Sequence, residues 1–255
     1  MANSFFKFKE FTIFQDQCGM KVTTDACLFG ALIAEHHKGL EGGSRILDIG
    51  TGTGLLSLML AQVAKTDSID AIEIDQGAFQ QAGVNFSASP WSDRLHIIHS
   101  SFQEFCKHGY PKFQPSNSST FPHSYDLIIC NPPFFRQHLI GQDTAKNKAL
   151  HDGGDLLKVL PTGIGQLLSP KGQCFILLPD HEMSVFSAEM RQSGLFPQKE
   201  VIIYHKAGKP VFRKVTLFGK EEKGEIETED LFIHQGSAPY SERFTALLKP
   251  YYLHL

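Results

Sequence analysis

Tryptophan occurs once, at Trp91, and the five cysteines include no Cys-x-x-Cys pair. The odd, scattered set Cys18, Cys27, Cys106, Cys130 and Cys174 excludes a disulfide framework and a zinc ribbon, and fits a reducing cytoplasm. The chain has no apolar run approaching the roughly 20 residues a bilayer-spanning helix needs, so no membrane partner is expected. Lys7 and Lys9 break up the phenylalanines at the N-terminus, leaving no apolar core for a secretory leader. The twelve histidines, including the neighbours His36 and His37, do not fall at metal-ligand spacing, and no metal is expected. An excess of positive charge is also missing, since 24 Lys and Arg stand against 27 Asp and Glu for a net charge of -3. Binding of nucleic acid through overall charge is thereby excluded, though a local basic face is not. Five basic residues and no acid lie between Val201 and Lys220 (Lys206, Lys209, Arg213, Lys214 and Lys220), and six acids against Lys223 alone lie between Glu221 and Asp230. An ordinary solvated hairpin with charged rims accounts for this pattern equally well.

With 42% hydrophobic and 20% charged residues over 255 positions, the chain is long enough for one α/β domain with a substantial core. Apolar runs predict strands over 45–49, 69–74, 94–99, 125–130 and 173–179, alternating with helices over 54–64, 76–87 and 155–168. That alternation predicts a doubly wound, mostly parallel seven-stranded sheet, ending in an antiparallel hairpin built from Val201–His205 and Phe212–Phe218 about Gly208-Lys209-Pro210. Residues 1–44 are expected to form a lead-in with a helix from Thr24, and 45–255 the catalytic core of a single domain. Pro111 to Ser124 reads as a surface loop, and Gly141 to Asp155 as a polar loop over a substrate.

Two motifs carry chemistry. Asn131-Pro132-Pro133-Phe134 closes the apolar run Tyr125 to Cys130, a tetrapeptide that chance places in roughly one chain per thousand of this length. Its two prolines fix φ and remove two backbone donors, so the Asn131 side-chain oxygen, the Pro132 carbonyl and an aromatic face remain to hold a planar amine. A strand end merely stopped by proline is the bland alternative. The second motif is Asp48-Ile49-Gly50-Thr51-Gly52-Thr53-Gly54, a glycine turn between a strand and a helix. Such a turn lets the backbone approach a nucleotide closely. Its spacing is Gly-x-Gly-x-Gly, not the Gly-x-Gly-x-x-Gly of dinucleotide binders. Glu73 ends the next strand, 25 residues after Asp48, where such folds hold ribose hydroxyls.

Together these residues resemble the class I S-adenosylmethionine-dependent methyltransferases, in the branch that acts on amino nitrogens. Phe8-Lys9-Glu10-Phe11-Thr12, Gln15-Asp16, Met20-Lys21-Val22, Thr24-Asp25-Ala26, Gln81 to Asn85, Ser89-Pro90-Trp91 and Tyr251-Tyr252-Leu253 narrow the likeness. They resemble the bacterial tRNA1(Val) adenine-N6 methyltransferases, which modify the adenine 3′ of the anticodon. The resemblance implies S-adenosylmethionine on Asp48, Gly50, Gly52, Gly54 and Glu73, with Ser101 and Phe102 at its adenine ring. It also implies that Lys21, Thr24 and Asp25 close over its methionine end; a helix N-cap beside a surface lysine is the alternative. Asn131, Pro132 and Phe134 are the catalytic candidates. Phe135, Arg136, Lys146, Lys209, Arg213 and Lys214 are the candidate RNA contacts, in a cytoplasmic monomer whose partner is tRNA.

Other readings stay open on the residues alone: an rRNA guanine-N2, DNA adenine-N6 or protein glutamine-N5 methyltransferase, or a non-catalytic RNA-binding protein on the same fold. A nicotinamide oxidoreductase is disfavoured by the glycine spacing.

Overall fold

The computed structural model describes residues 3–38, 43–65, 67–108, 124–133, 144–236 and 238–255, with side chains described for all of these but 144–155. A short antiparallel hairpin, β1 (Phe5–Lys7) and β2 (Thr12–Phe14), leads into α1 (Thr24–His37). Then follow β3 (Arg45–Ile49), α2 (Leu55–Ala61), β4 (Ser68–Glu73), α3 (Gln76–Ser87), β5 (Leu95–His99), α4 (Phe102–His108) and β6 (Tyr125–Cys130). The chain continues through α5 (Thr144–Leu167), β7 (Leu168–Leu178), α6 (Asp180–Gln192), β8 (Phe196–Tyr204), β9 (Val211–Gly219), β10 (Glu227–Phe232) and α7 (Glu242–Leu248).

One sheet organises these elements, in the order β10-β8-β9-β7-β6-β3-β4-β5. All its pairings are parallel except those of β9 with β7 and with β8. The predicted seven strands are present, including the β8–β9 hairpin, and β10 adds an eighth at the edge. The central strands read as unbroken apolar runs because both faces are covered. Ile46, Leu127 and Ile129 point into a cluster shared with α1, α2 and α7, while Leu47, Ile128 and Cys130 point into one shared with α5 and α6.

Helix starts are fixed by side-chain caps, each satisfying a backbone donor the helix leaves unpaired. Thr23 accepts from Ala26 N at 3.4 Å at the start of α1, Asp75 from Ala78 N at 2.9 Å before α3, and Ser241 from Phe244 N at 3.1 Å before α7. Asp75 therefore has a structural role as the cap of α3. Helix α5 starts at Thr144, so most of Gly141–Asp155 is helical where the sequence suggested a loop. The loop read over 111–124 falls almost wholly outside the described residues.

The two ends of the chain meet. Lys9 N donates to Tyr251 O at 2.9 Å, and the Tyr252 ring lies 5.7 Å from Phe6 and 6.0 Å from Phe8. Phe11 packs edge-on to Trp91 at 5.9 Å. The N-terminal, Trp91 and C-terminal motifs thus form one contiguous apolar seam.

Candidate active site

Strand register brings the two motifs together. Ile49 pairs with Ile72 on one side and with Cys130 on the other. The next residues, Gly50, Glu73 and Asn131, therefore leave three neighbouring strands at one level, about 4.8 Å apart from strand to strand. The chain winds β3-β4-β5 in one direction and β6-β7 in the other, so Gly50 and Asn131 flank the crevice where strand order reverses. Open α/β sheets bind ligands at such a crevice. Asn131 and Pro133 are half-buried there and Pro132 is buried.

The glycine turn is anchored by Gly50 N and Thr51 N, which donate to Ile72 O at 2.9 and 3.1 Å. Gly50, Gly52 and Gly54 take φ values of 69°, 58° and 81°, a region costly for any side chain. A Cβ on Gly50 or Gly52 would meet open space, whereas one on Gly54 would lie 2.5 Å from the Phe86 ring. Asp48 lies beneath the turn, fully buried. One carboxylate oxygen accepts from Thr51 Oγ1 and Ser57 Oγ, both at 2.7 Å, and the other, Oδ1, is buried without a partner. Burial outweighs those two hydroxyls and pushes the carboxyl up to about 6. The Glu73 carboxylate accepts from Gly52 N at 2.8 Å and from Ile74 N and Asp75 N at 2.9 Å. Burial raises it as well, against those three donors.

The remaining candidates divide. Ser101 accepts from Glu104 N at 3.1 Å as the cap of α4, while the Phe102 ring is buried between α4 and α5, where it presses on Gly163. Phe102 is thus a core side chain. Lys21 Nζ donates to Gln15 O, and Thr24 is exposed at the start of α1. Asp25 and Arg213, assigned above to different ligands, pair with each other: Arg213 Nε lies 2.9 Å from Asp25 Oδ2. Lys214 Nζ lies 2.8 Å from Asp180 Oδ1. Both basic residues face helices packed against β9, which is why they find acids there. Lys209 is exposed on the β8–β9 turn with Lys206. Phe134, Phe135 and Arg136 lie outside the described residues, as does the side chain of Lys146. The sequence reading gave no role to Gln81 and Asn85, buried amides that face the site's N-terminal cover. Their partners are backbone groups far away in sequence, so no local pattern marked them.

A methyltransferase small domain model matches residues 30–166. A Dyadobacter fermentans protein described as a tRNA1(Val) (adenine(37)-N6)-methyltransferase is 41% identical over 254 residues, covering 98% of both chains. One of the same description from Cytophaga hutchinsonii is 37% identical over the whole of both, and one from Yersinia pestis is 33% identical over 97% of this chain and 93% of its own. The chain belongs to the tRNA1(Val) (adenine(37)-N6)-methyltransferase family. Its fold also matches the crystal structure of a predicted O-methyltransferase from Agrobacterium tumefaciens, with a TM-score of 0.63 at 16% identity over 88% of this chain and 95% of that one.

For a member of this family the methyl donor is S-adenosylmethionine, and the crevice suits it. Two glycines of the turn open onto space, the Glu73 carboxylate is held in place by three backbone donors, and Asp48 Oδ1 lacks a partner. Among the described residues no cluster of His, Cys, Asp and Glu can hold a metal. No described helix is long and apolar enough to cross a membrane.

Proposed function

We propose that the chain transfers a methyl group to N6 of adenine in tRNA, at the adenine 3′ of the anticodon, position 37, of tRNA1(Val). The observation that carries this reading is the level of Asn131 with Gly50 across the β3–β6 crevice. The amino-acceptor motif thereby adjoins the donor turn. S-adenosylmethionine supplies a methyl group on a positively charged sulfur.

Adenine N6 is a weak nucleophile because its lone pair is delocalised into the ring. Asn131 Oδ1 and the Pro132 carbonyl accept hydrogen bonds from its two protons, which favours a tetrahedral nitrogen with a localised pair. Pro132 and Pro133 hold these acceptors rigid, so little reorganisation accompanies the reaction. Phe134 stacks on the base, worth about 1–3 kcal/mol by analogy with single-stranded binders. Methyl transfer here needs alignment more than a strong base, and the surplus proton passes to solvent after transfer. Glu73 accepts from the ribose hydroxyls, and Asp48 keeps the turn in shape through Thr51 and Ser57. Lys206 and Lys209 meet the phosphates of the anticodon arm. The working unit is a cytoplasmic monomer comprising one domain, 1–255, checked by light scattering with and without tRNA.

The deciding experiment incubates the protein with labelled S-adenosylmethionine and total tRNA from a strain lacking the gene. N6-methyladenosine in a valine tRNA is the expected product. Asn131→Ala should lower turnover by about 10²–10³-fold while donor binding is retained. Near-full turnover in that variant, or label in rRNA or protein alone, would overturn the assignment.

A further inference from the structure

Between β2 and α1 the chain crosses the Glu73 side of the crevice, and two buried amides hold it down. Gln81 Oε1 accepts from Gln17 N at 3.0 Å. Asn85 Oδ1 accepts from Phe14 N at 2.9 Å, while its Nδ2 donates to Phe14 O at 2.9 Å and to Thr53 O, inside the glycine turn, at 2.8 Å. Gln81 and Asn85 are only 2% and 1% exposed. Gln15 closes the same segment on itself, accepting from Val22 N at 2.8 Å. The approach is close enough that a Cβ on Gly77 would lie 2.8 Å from Gln17 O. Cys18, carried by this strap, is buried. That burial, with Glu73 beside it, pushes its thiol up to about 12.

We infer that Gln81 and Asn85 are positioning residues for the methyl-donor site, latching the Phe14–Val22 strap over its Glu73 end so that donor and product exchange by releasing the latch. The donor assignment above is needed only for what the strap covers; the latch itself is read from the hydrogen bonds. A helix that served packing alone would spend apolar side chains at these positions. Here three hydrogen bonds join α3 to a strap 64 to 71 residues away in sequence, and a fourth, buried, joins Asn85 to Thr53 of the turn that holds the donor.

Cys18 reports strap opening, because its thiol reacts only when exposed and free to ionise. In a Cys106→Ser background, which removes the half-exposed thiol, Cys18 modification is followed by peptide mass spectrometry on donor-free protein. Gln81→Leu should accelerate it about tenfold, the fold-change corresponding to one lost buried hydrogen bond. The same variant should weaken S-adenosylhomocysteine binding about tenfold, with kcat at saturating donor little changed. Gln81→Glu, which keeps the acceptor, should restore both. In the unmutated latch, S-adenosylhomocysteine should protect Cys18. Unchanged Cys18 reactivity in Gln81→Leu overturns the latch. If that variant does not fold, lack of protection by S-adenosylhomocysteine in the parent protein overturns the cover. Failure to bind S-adenosylhomocysteine at all would instead refute the donor assignment, and absence of tRNA methylation would touch only the substrate.

Discussion

Asp48 holds a carboxyl group where water does not reach, with one oxygen satisfied by two hydroxyls and the other by none. Its value rises from 3.8 to about 6 on folding, chiefly through burial. Between those values the folded protein keeps a proton that the unfolded chain has released. The stability tied to this group is thus full below about pH 4 and lost as pH rises through about 6. The loss is on the order of 3 kcal/mol, and Glu73 shifts in the same direction. Asp48→Asn removes the charge and keeps the shape. Urea unfolding at pH 4.5 and 7.5 should therefore show a smaller drop with rising pH in the variant than in the parent, while S-adenosylmethionine binding weakens. Equal drops would mean that the buried charge is not what the fold tolerates here for the sake of the ligand.

The glycine turn joins backbone demand to packing, and its three glycines are not equivalent. Gly50→Ala introduces a methyl into open space at φ 69°, so its stability cost is conformational strain, about 1–2 kcal/mol. Gly54→Ala pays a similar strain at φ 81° and also drives its methyl into Phe86. It should be the more destabilising in thermal melts of donor-free protein, and adding Phe86→Leu should recover only the packing part. Gly50→Ala should nonetheless be the more damaging to donor binding, because its methyl occupies the donor's space. If the two cost the same stability, the Phe86 contact is not tight. This turn was legible in the sequence because strained backbone leaves glycine little competition. The central strands were legible because burial on both faces writes unbroken apolar runs. Strand β10 was not, since Glu227-Thr228-Glu229-Asp230 carries the acids that suit a sheet edge. The first half of α5 was hidden by Gly153-Gly154 and a polar start. The latch on α3 was hidden for another reason: its partners are backbone groups far away in sequence, which leave no local pattern.

At the scale of the whole molecule, the net charge of -3 opposes an approaching tRNA, so the distribution of charge must overcome it. Tyr204 pairs with Val211, which puts the β8–β9 turn on the sheet edge that carries Asn131. Phe196 pairs with Gly219, so the acidic run beginning at Glu221 starts from the opposite edge. Arg213 and Lys214 are consumed in ion pairs with Asp25 and Asp180, which leaves Lys206 and Lys209 as the exposed cations of the hairpin. Their turn joins β9 and β8, two and three strands from β6, about 10–14 Å at ordinary strand spacing, a separation that the arm around one flipped nucleotide can span. The double variant Lys206→Glu/Lys209→Glu should weaken tRNA binding and lower its salt dependence by about two units of slope. Donor affinity should not change. Lys223→Glu makes a like change of charge per site at the far edge and should leave tRNA affinity nearly unaltered. Filter-binding titrations across a salt series distinguish the outcomes. Equal losses in both variants would mean that tRNA senses only the protein's total charge, and no loss in the double variant would move the RNA path off this hairpin.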